Sequence, residues 1–185
     1  MKQMLKLGIV VGLLCAGVAS ASLYTVDPNP NPSLPATSTI NVGDSGFITD
    51  VDVEIALNYV YVSGADLGIQ LTSPDGTTVV LASADRVSEN PLIPFTFDDA
   101  AVSDPFMGSG PYNPEGSLSD FNGENLNGVW TLSITDDWSV LPTTTLTLDA
   151  WTLDIDSSPV PVPGAALLGI LGLGTVGWIR RRSTA

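Results

Sequence analysis

The strongest constraint on the fold is a period-two alternation. From Val51 to Tyr59 the apolar residues Val51, Val53, Ile55, Leu57 and Tyr59 alternate with Asp52, Glu54, Ala56 and Asn58. A strand turns successive side chains to opposite faces, so this run predicts a strand with one buried face. Leu67, Ile69 and Leu71 repeat the pattern, and it resumes at Val79 and Leu81 after Ser73-Pro74-Asp75-Gly76. Asp-Gly between two such runs predicts a hairpin, because glycine takes a positive φ at little cost. Trp130, Leu132 and Ile134 alternate with Thr131, Ser133 and Thr135. A last strand carries Leu146 and Leu148, then Trp151, Leu153 and Ile155. The phase slips at Ala150-Trp151, which predicts a bulge there. No stretch between Ser22 and Ser157 carries a capped 3.6-residue repeat. Many short strands separated by Gly, Pro, Asn and Asp turns predict an all-β fold, an antiparallel jelly-roll sandwich of about eight strands.

Both ends of the 185-residue chain read as targeting segments, which leaves residues 22–157 as one folded domain. Lys2 and Lys6 precede the apolar run Leu7 to Val18, and Ala19-Ser20-Ala21 follows as a small-x-small exit. This is a signal peptide over residues 1–21, cut by signal peptidase after Ala21. The competing reading is an uncleaved anchor, for which the apolar run is short. The only cysteine, Cys15, lies inside that run, so the processed protein has neither disulfides nor thiolate chemistry.

The other tail spans residues 158–185. A spacer with Pro159, Pro161 and Pro163 cannot continue a strand ladder. The apolar stretch 164–179 is 16 residues, roughly 24 Å as a helix against a hydrocarbon core of about 30 Å. It just spans with the help of snorkelling Arg180, Arg181 and Arg182, which the positive-inside rule keeps cytoplasmic. The folded domain is then on the outer side. This ending resembles the PEP-CTERM sorting signal family, in a variant with Val160-Pro161-Val162-Pro163 in place of Pro-Glu-Pro. The resemblance implies an exosortase partner in a Gram-negative bacterium, with release or attachment at the cell envelope, outer surface or exopolysaccharide matrix. The competing reading is a plain membrane anchor.

All 20 acidic residues fall between Asp27 and Asp156, where Arg86 is the one basic residue, an excess of nineteen negative charges. Such a body repels nucleic acid and anionic lipid. Adjacent aspartates at strand ends, Asp98-Asp99 and Asp136-Asp137, with Asp50 entering a strand, supply hard oxygens of the kind calcium prefers. They are the candidate metal ligands, and the competing reading is a solvated acidic rim. Paired carboxylates also suit glycoside hydrolysis, but neighbours on a strand point to opposite faces and need not converge on one bond. Trp130 and Trp151 are in phase with core positions, whereas Trp138 lies in a predicted loop and is a candidate ligand contact, for instance with a glycan.

An ordered series covers most of the domain: Ile48-Thr49-Asp50-Val51-Asp52-Val53, Asn58-Tyr59, Asp66-Leu67 through Thr72-Ser73-Pro74-Asp75-Gly76-Thr77, Phe97-Asp98-Asp99-Ala100, Tyr112-Asn113-Pro114, Leu118 to Gly123, and Gly128-Val129-Trp130-Thr131-Leu132. This series resembles the P domain, or P/Homo B domain, of subtilisin-like proprotein convertases. Asn58 departs from the histidine more usual there. The resemblance implies an eight-stranded jelly roll that packs on and stabilises a catalytic domain, and it associates the chain with serine-type endopeptidases and proteolysis. It also extends to bacterial surface modules outside proteases, and supports a calcium site around Asp98, Asp99 and Asp136. Asp66 reads as a structural group tied to backbone at a strand start.

A subtilisin-type protease needs Asp, His and Ser with imidazole as general base, and this chain has no histidine. The chain is therefore expected not to be an enzyme. Three functions remain: an extracellular or surface module supported by calcium, a module that binds a separate protease, and, more weakly, a glycan-binding module that uses Trp138 and nearby acids.

Overall fold

The computed structural model describes residues 19–28, 31–58, 67–83, 94–102, 111–136 and 147–160. These form eight strands: β1 Ser20–Val26, β2 Ala36–Val42, β3 Phe47–Asn58, β4 Leu67–Thr72, β5 Thr78–Ala82, β6 Phe95–Phe97, β7 Gly128–Asp136 and β8 Thr147–Ser158. The only helical element among the described residues is a 3₁₀ turn, Leu118–Phe121. Among those residues no helix is long and apolar enough to cross a membrane. The predicted spanning stretch 164–179 lies outside them, as does most of the predicted signal peptide.

Two antiparallel sheets of four strands make up the architecture, in the orders β1-β8-β3-β6 and β2-β7-β4-β5. The pairing is nested: β4 with β5, β3 with β6, β2 with β7 and β1 with β8. The alternation read from β3 is realised, with Val51, Val53, Ile55 and Leu57 buried between the sheets. Leu148, Trp151, Leu153 and Ile155 join them from β8, facing Ile69 and Leu71 of β4 and Trp130, Leu132 and Ile134 of β7. Both tryptophans of the core donate their indole N–H, as buried indoles require. Trp130 Nε1 reaches Leu126 O at 3.1 Å, and Trp151 Nε1 crosses from one sheet to the other to reach Ser38 Oγ at 2.9 Å.

The bulge in β8 falls slightly earlier than the sequence suggests. Trp151 stays opposite Ile55 and Ala150 opposite Ala56, while Leu57 pairs with Leu148, so Asp149 is the extra residue. The buried indole of Trp151 holds its register, and the irregularity moves to a partly exposed residue whose carboxylate accepts a bond from Asn31 Nδ2 at 2.5 Å. Asp50 likewise does not open a strand. It is preceded in β3 by Phe47, Ile48 and Thr49, and a second register shift lies between Ile48 and Asp50. Leu146 lies outside the described residues.

A strand edge presents unpaired N–H and C=O groups unless something covers it. One segment covers both sheets on the β5–β6 side. Tyr112 N donates to Thr96 O at 2.7 Å and Asp98 N to Tyr112 O at 3.0 Å, closing the edge of β6. Gly116 N then donates to Val80 O at 2.8 Å, on the edge of β5. The Tyr112 ring packs against Phe95 and Phe97 at centroid distances of 6.5 and 6.4 Å. A short Tyr-Asn-Pro stretch thereby ties the sheets together.

Candidate functional site

Two places concentrate polar side chains: a clasp at one end of the sandwich, and the outer face of the first sheet. The clasp is built on the Ser73–Thr77 turn between β4 and β5. Gly76 sits at φ +94°, and the turn closes through Ser73 N to Thr77 O at 2.9 Å and Gly76 N to Ser73 O at 3.1 Å. The Ser73 hydroxyl, in a residue 4% exposed, donates to Glu124 Oε2 at 2.6 Å, and the Thr77 hydroxyl donates to Glu124 Oε1. Glu124 is fixed in turn by its backbone, since Ile48 N donates to Glu124 O at 3.0 Å. Gly128 opens β7 at φ +133°, and a Cβ there would come 2.7 Å from Cβ of Pro74. Two carbons cannot approach so closely, so the proline of the turn packs where only glycine fits. The clasp therefore joins β3, the β4–β5 turn and the start of β7. It also explains structurally why serine, proline and threonine stand where the sequence places them.

Asp99 belongs to the same end. Its carboxylate accepts from Leu118 N and Ser119 N, both at 2.9 Å, and from Ser117 Oγ at 2.8 Å. Partial burial pushes its pKa up, but these donors outweigh the burial and hold it below the usual carboxylate range. It anchors the first turn of the 3₁₀ helix, whose Phe121 then packs edge-on to Trp130 at 5.1 Å. Asp98 Oδ1 accepts from Ala100 N at 2.6 Å, an Asx turn.

The outer face of the first sheet is acidic by register. On β3 and β8, Asp50 stands opposite Asp156 and Asp52 opposite Asp154. Asp98 follows β6, whose Phe97 pairs with Val53 beside Asp52. Like charges directly opposite each other destabilise a pair of strands. Burial raises the pKa of Asp52 to about 6, helped by the charges of Asp98, Asp50, Asp154 and Asp156. Burial raises Asp50 as well, with Asp98, Asp156 and Asp99 adding to it. Asp52 Oδ1 is a buried side-chain oxygen without a hydrogen-bond partner, the only such atom among the described residues. A shallow groove runs across this face, lined by Leu23, Asp52, Glu54, Thr96, Thr152 and Asp154.

Four of the five candidate metal ligands, Asp50, Asp98, Asp99 and Asp136, are among the described residues, and they are spread over both ends of the sandwich. Asp50 and Asp98 share the acidic face, and Asp99 is committed to the 3₁₀ turn. Asp136 ends β7 eight residues beyond Gly128, paired with Leu67 at the far end of the sandwich from Asp98-Asp99. Asp137 lies outside the described residues, with Trp138 and Asp66. Among the described residues no group of three acidic side chains is placed to hold a metal ion. Sequence reasoning missed Asp52, Asp154, Asp156 and Glu124. The outward positions of β3 and β8 were visible as alternating acids, but the register that pairs them was not.

What the geometry defines is an antiparallel two-sheet module whose signature residues brace one another. Residues 48–155 match the proprotein convertase P-domain family, and the chain belongs to that family. Similar solved structures include the serine protease of Aeromonas sobria, at 19% identity and a TM-score of 0.48 over 76% of this chain. The protease–chaperone complex of the same organism gives 18% identity and a TM-score of 0.49 over 78% of this chain. The chain spans 27% and 28% of those two proteins. The infectious bursal disease virus VP2 subviral particle is more distant, at 12% identity and a TM-score of 0.31, covering 86% of this chain and 39% of that one. No curated protein sequence matches the chain.

Proposed function

We propose that this protein is a non-catalytic P-type module of a Gram-negative cell surface, exported through residues 1–21 and sorted through residues 158–185 by an exosortase. The observation that carries the non-catalytic reading is the clasp. A serine nucleophile needs access to substrate and a general base. Ser73 is buried, its hydroxyl proton is directed at Glu124, and the chain has no imidazole to take that proton. The nested pairing of eight strands supports a jelly-roll winding, as two Greek keys folded together produce it. The sorting reading rests on the Val160-Pro161-Val162-Pro163 spacer, the apolar stretch and the three arginines.

Membership in a convertase P-domain family favours a second reading, in which the module stabilises a separate peptidase. Fractionation of cells that express the full chain separates the two. On the first reading the domain is found at the envelope or outside the cell, and removal of residues 159–185 redirects it away from the envelope. Retention of the full chain in the cytoplasm overturns the export reading. Stoichiometric copurification with a subtilisin-like enzyme establishes the second.

A further inference from the structure

The acidic face of the first sheet has no cation near it among the described residues, because Lys2, Lys6, Arg86 and Arg180 to Arg182 all lie outside them. The register of β1 supplies one in another way. β1 runs along β8 with Ala21 opposite Asp156, Ser22 opposite Ile155 and Leu23 opposite Asp154. The hydroxyls of Thr25 and Thr152 meet at 2.9 Å, and Leu23 is 68% exposed, so the odd-numbered residues of β1 share the outer face with the aspartates of β8. The peptide bond between Ala21 and Ser22, where the sequence places signal-peptidase cleavage, is therefore not in a loop before the fold. It lies inside a paired strand, level with Asp156.

We propose that cleavage at Ala21–Ser22 creates the counter-charge of this face: the α-ammonium of Ser22, held by strand pairing beside Asp156 and within the field of Asp154 and Asp50. Water adds across the peptide bond, Ala21 leaves with the new carboxylate, and Ser22 keeps the amine, which is protonated at neutral pH. The nitrogen freed is that of Ser22, the partner of Ile155, on the side of that pair from which Ala21 faced Asp156, so β1 brings the ammonium next to the Asp156 position without a long side chain to order. The remaining strand, Ser22–Val26, keeps its pairing from Ile155 to Trp151. Maturation thereby relieves part of the repulsion between Asp50 and Asp156, and the processed domain is more stable than one whose amine is blocked. This rests on the signal-peptide reading given above.

The sequence makes the test selective. Lys2 and Lys6 are the only lysines and leave with the leader, so the α-amine becomes the single primary amine of the processed chain. The full chain is expressed with export and purified, and its intact mass fixes the first residue. The amine is then acetylated, which removes the charge, or reductively dimethylated, which keeps it. Acetylation is expected to lower the thermal midpoint by about 2–4 °C at low salt, the scale of one surface ion pair in a domain of this size. Dimethylation leaves the midpoint unchanged, and Asp156→Asn removes most of the acetylation effect. Equal midpoints for free and acetylated protein, or an acetylation effect of full size in the Asp156→Asn protein, overturn the proposal. A mass that places the first residue elsewhere instead overturns the processing reading, and the proposal with it.

Discussion

Asp52 carries the one buried side-chain oxygen among the described residues that has no hydrogen-bond partner. Its carboxyl lies in the wall of the outer groove, with one oxygen buried and unpartnered and four other carboxylates acting on it. Its pKa rises from 3.8 to about 6. The folded state therefore binds a proton more tightly than the unfolded chain, and stability falls as pH rises through the window between those values. Asp52→Asn is expected to raise the thermal midpoint at pH 8 and to give no gain at pH 4, where the native carboxyl is already neutral. A gain of equal size at both pH values would show that charge is not the cause. Asp99 behaves in the opposite way. Its depressed pKa makes it a source of stability above the ordinary carboxylate range, lost as pH falls through its folded value.

At the scale of elements, the hairpin of β4 and β5 and the start of β7 depend on each other through one close approach. Gly128→Ala must place a Cβ against Pro74 and adopt a positive φ that alanine rarely takes. It is expected to cost about 2–4 kcal/mol in urea unfolding, whereas Gly43→Ala, where a Cβ meets open space, is expected to cost far less. Similar costs at the two positions would remove the packing role assigned to Pro74. The strands β3, β4, β5, β7 and β8 were legible because their alternating residues are strongly apolar on one side. β2 was not: its inward residues are Ala36, Ser38, Ile40 and Val42, and the buried serine is explained only by the indole of Trp151 across the sandwich. The roles of Asp99 and Glu124 were illegible for the same reason, since their partners lie 18 to 20 and 47 to 51 residues away in sequence. Period and turn chemistry are local signals, while register and end-capping are set by the assembled sheets.

For the molecule as a whole, formal net charge and its placement set the solution behaviour. A chain at −14 with its acids on one domain repels itself. Its midpoint is expected to rise as sodium chloride goes from 20 to 500 mM, conditions spanning Debye lengths of roughly 20 to 4 Å. At matched ionic strength, a calcium site on the strand-end aspartates is expected to raise it more with calcium than with magnesium. Equal shifts with the two ions would instead mark the carboxylates as a solvated acidic rim. The Ser73-Pro74-Asp75-Gly76-Thr77 turn works as a clasp, and Glu124 holds it at two hydroxyls. Replacing Glu124 with alanine strands the buried Ser73 hydroxyl and frees Thr77. The most direct measurement is the unfolding free energy of Glu124→Ala in the full chain. The clasp predicts a loss of about 2 kcal/mol, the usual scale for hydrogen bonds to a charged group; an unchanged free energy of unfolding would contradict it.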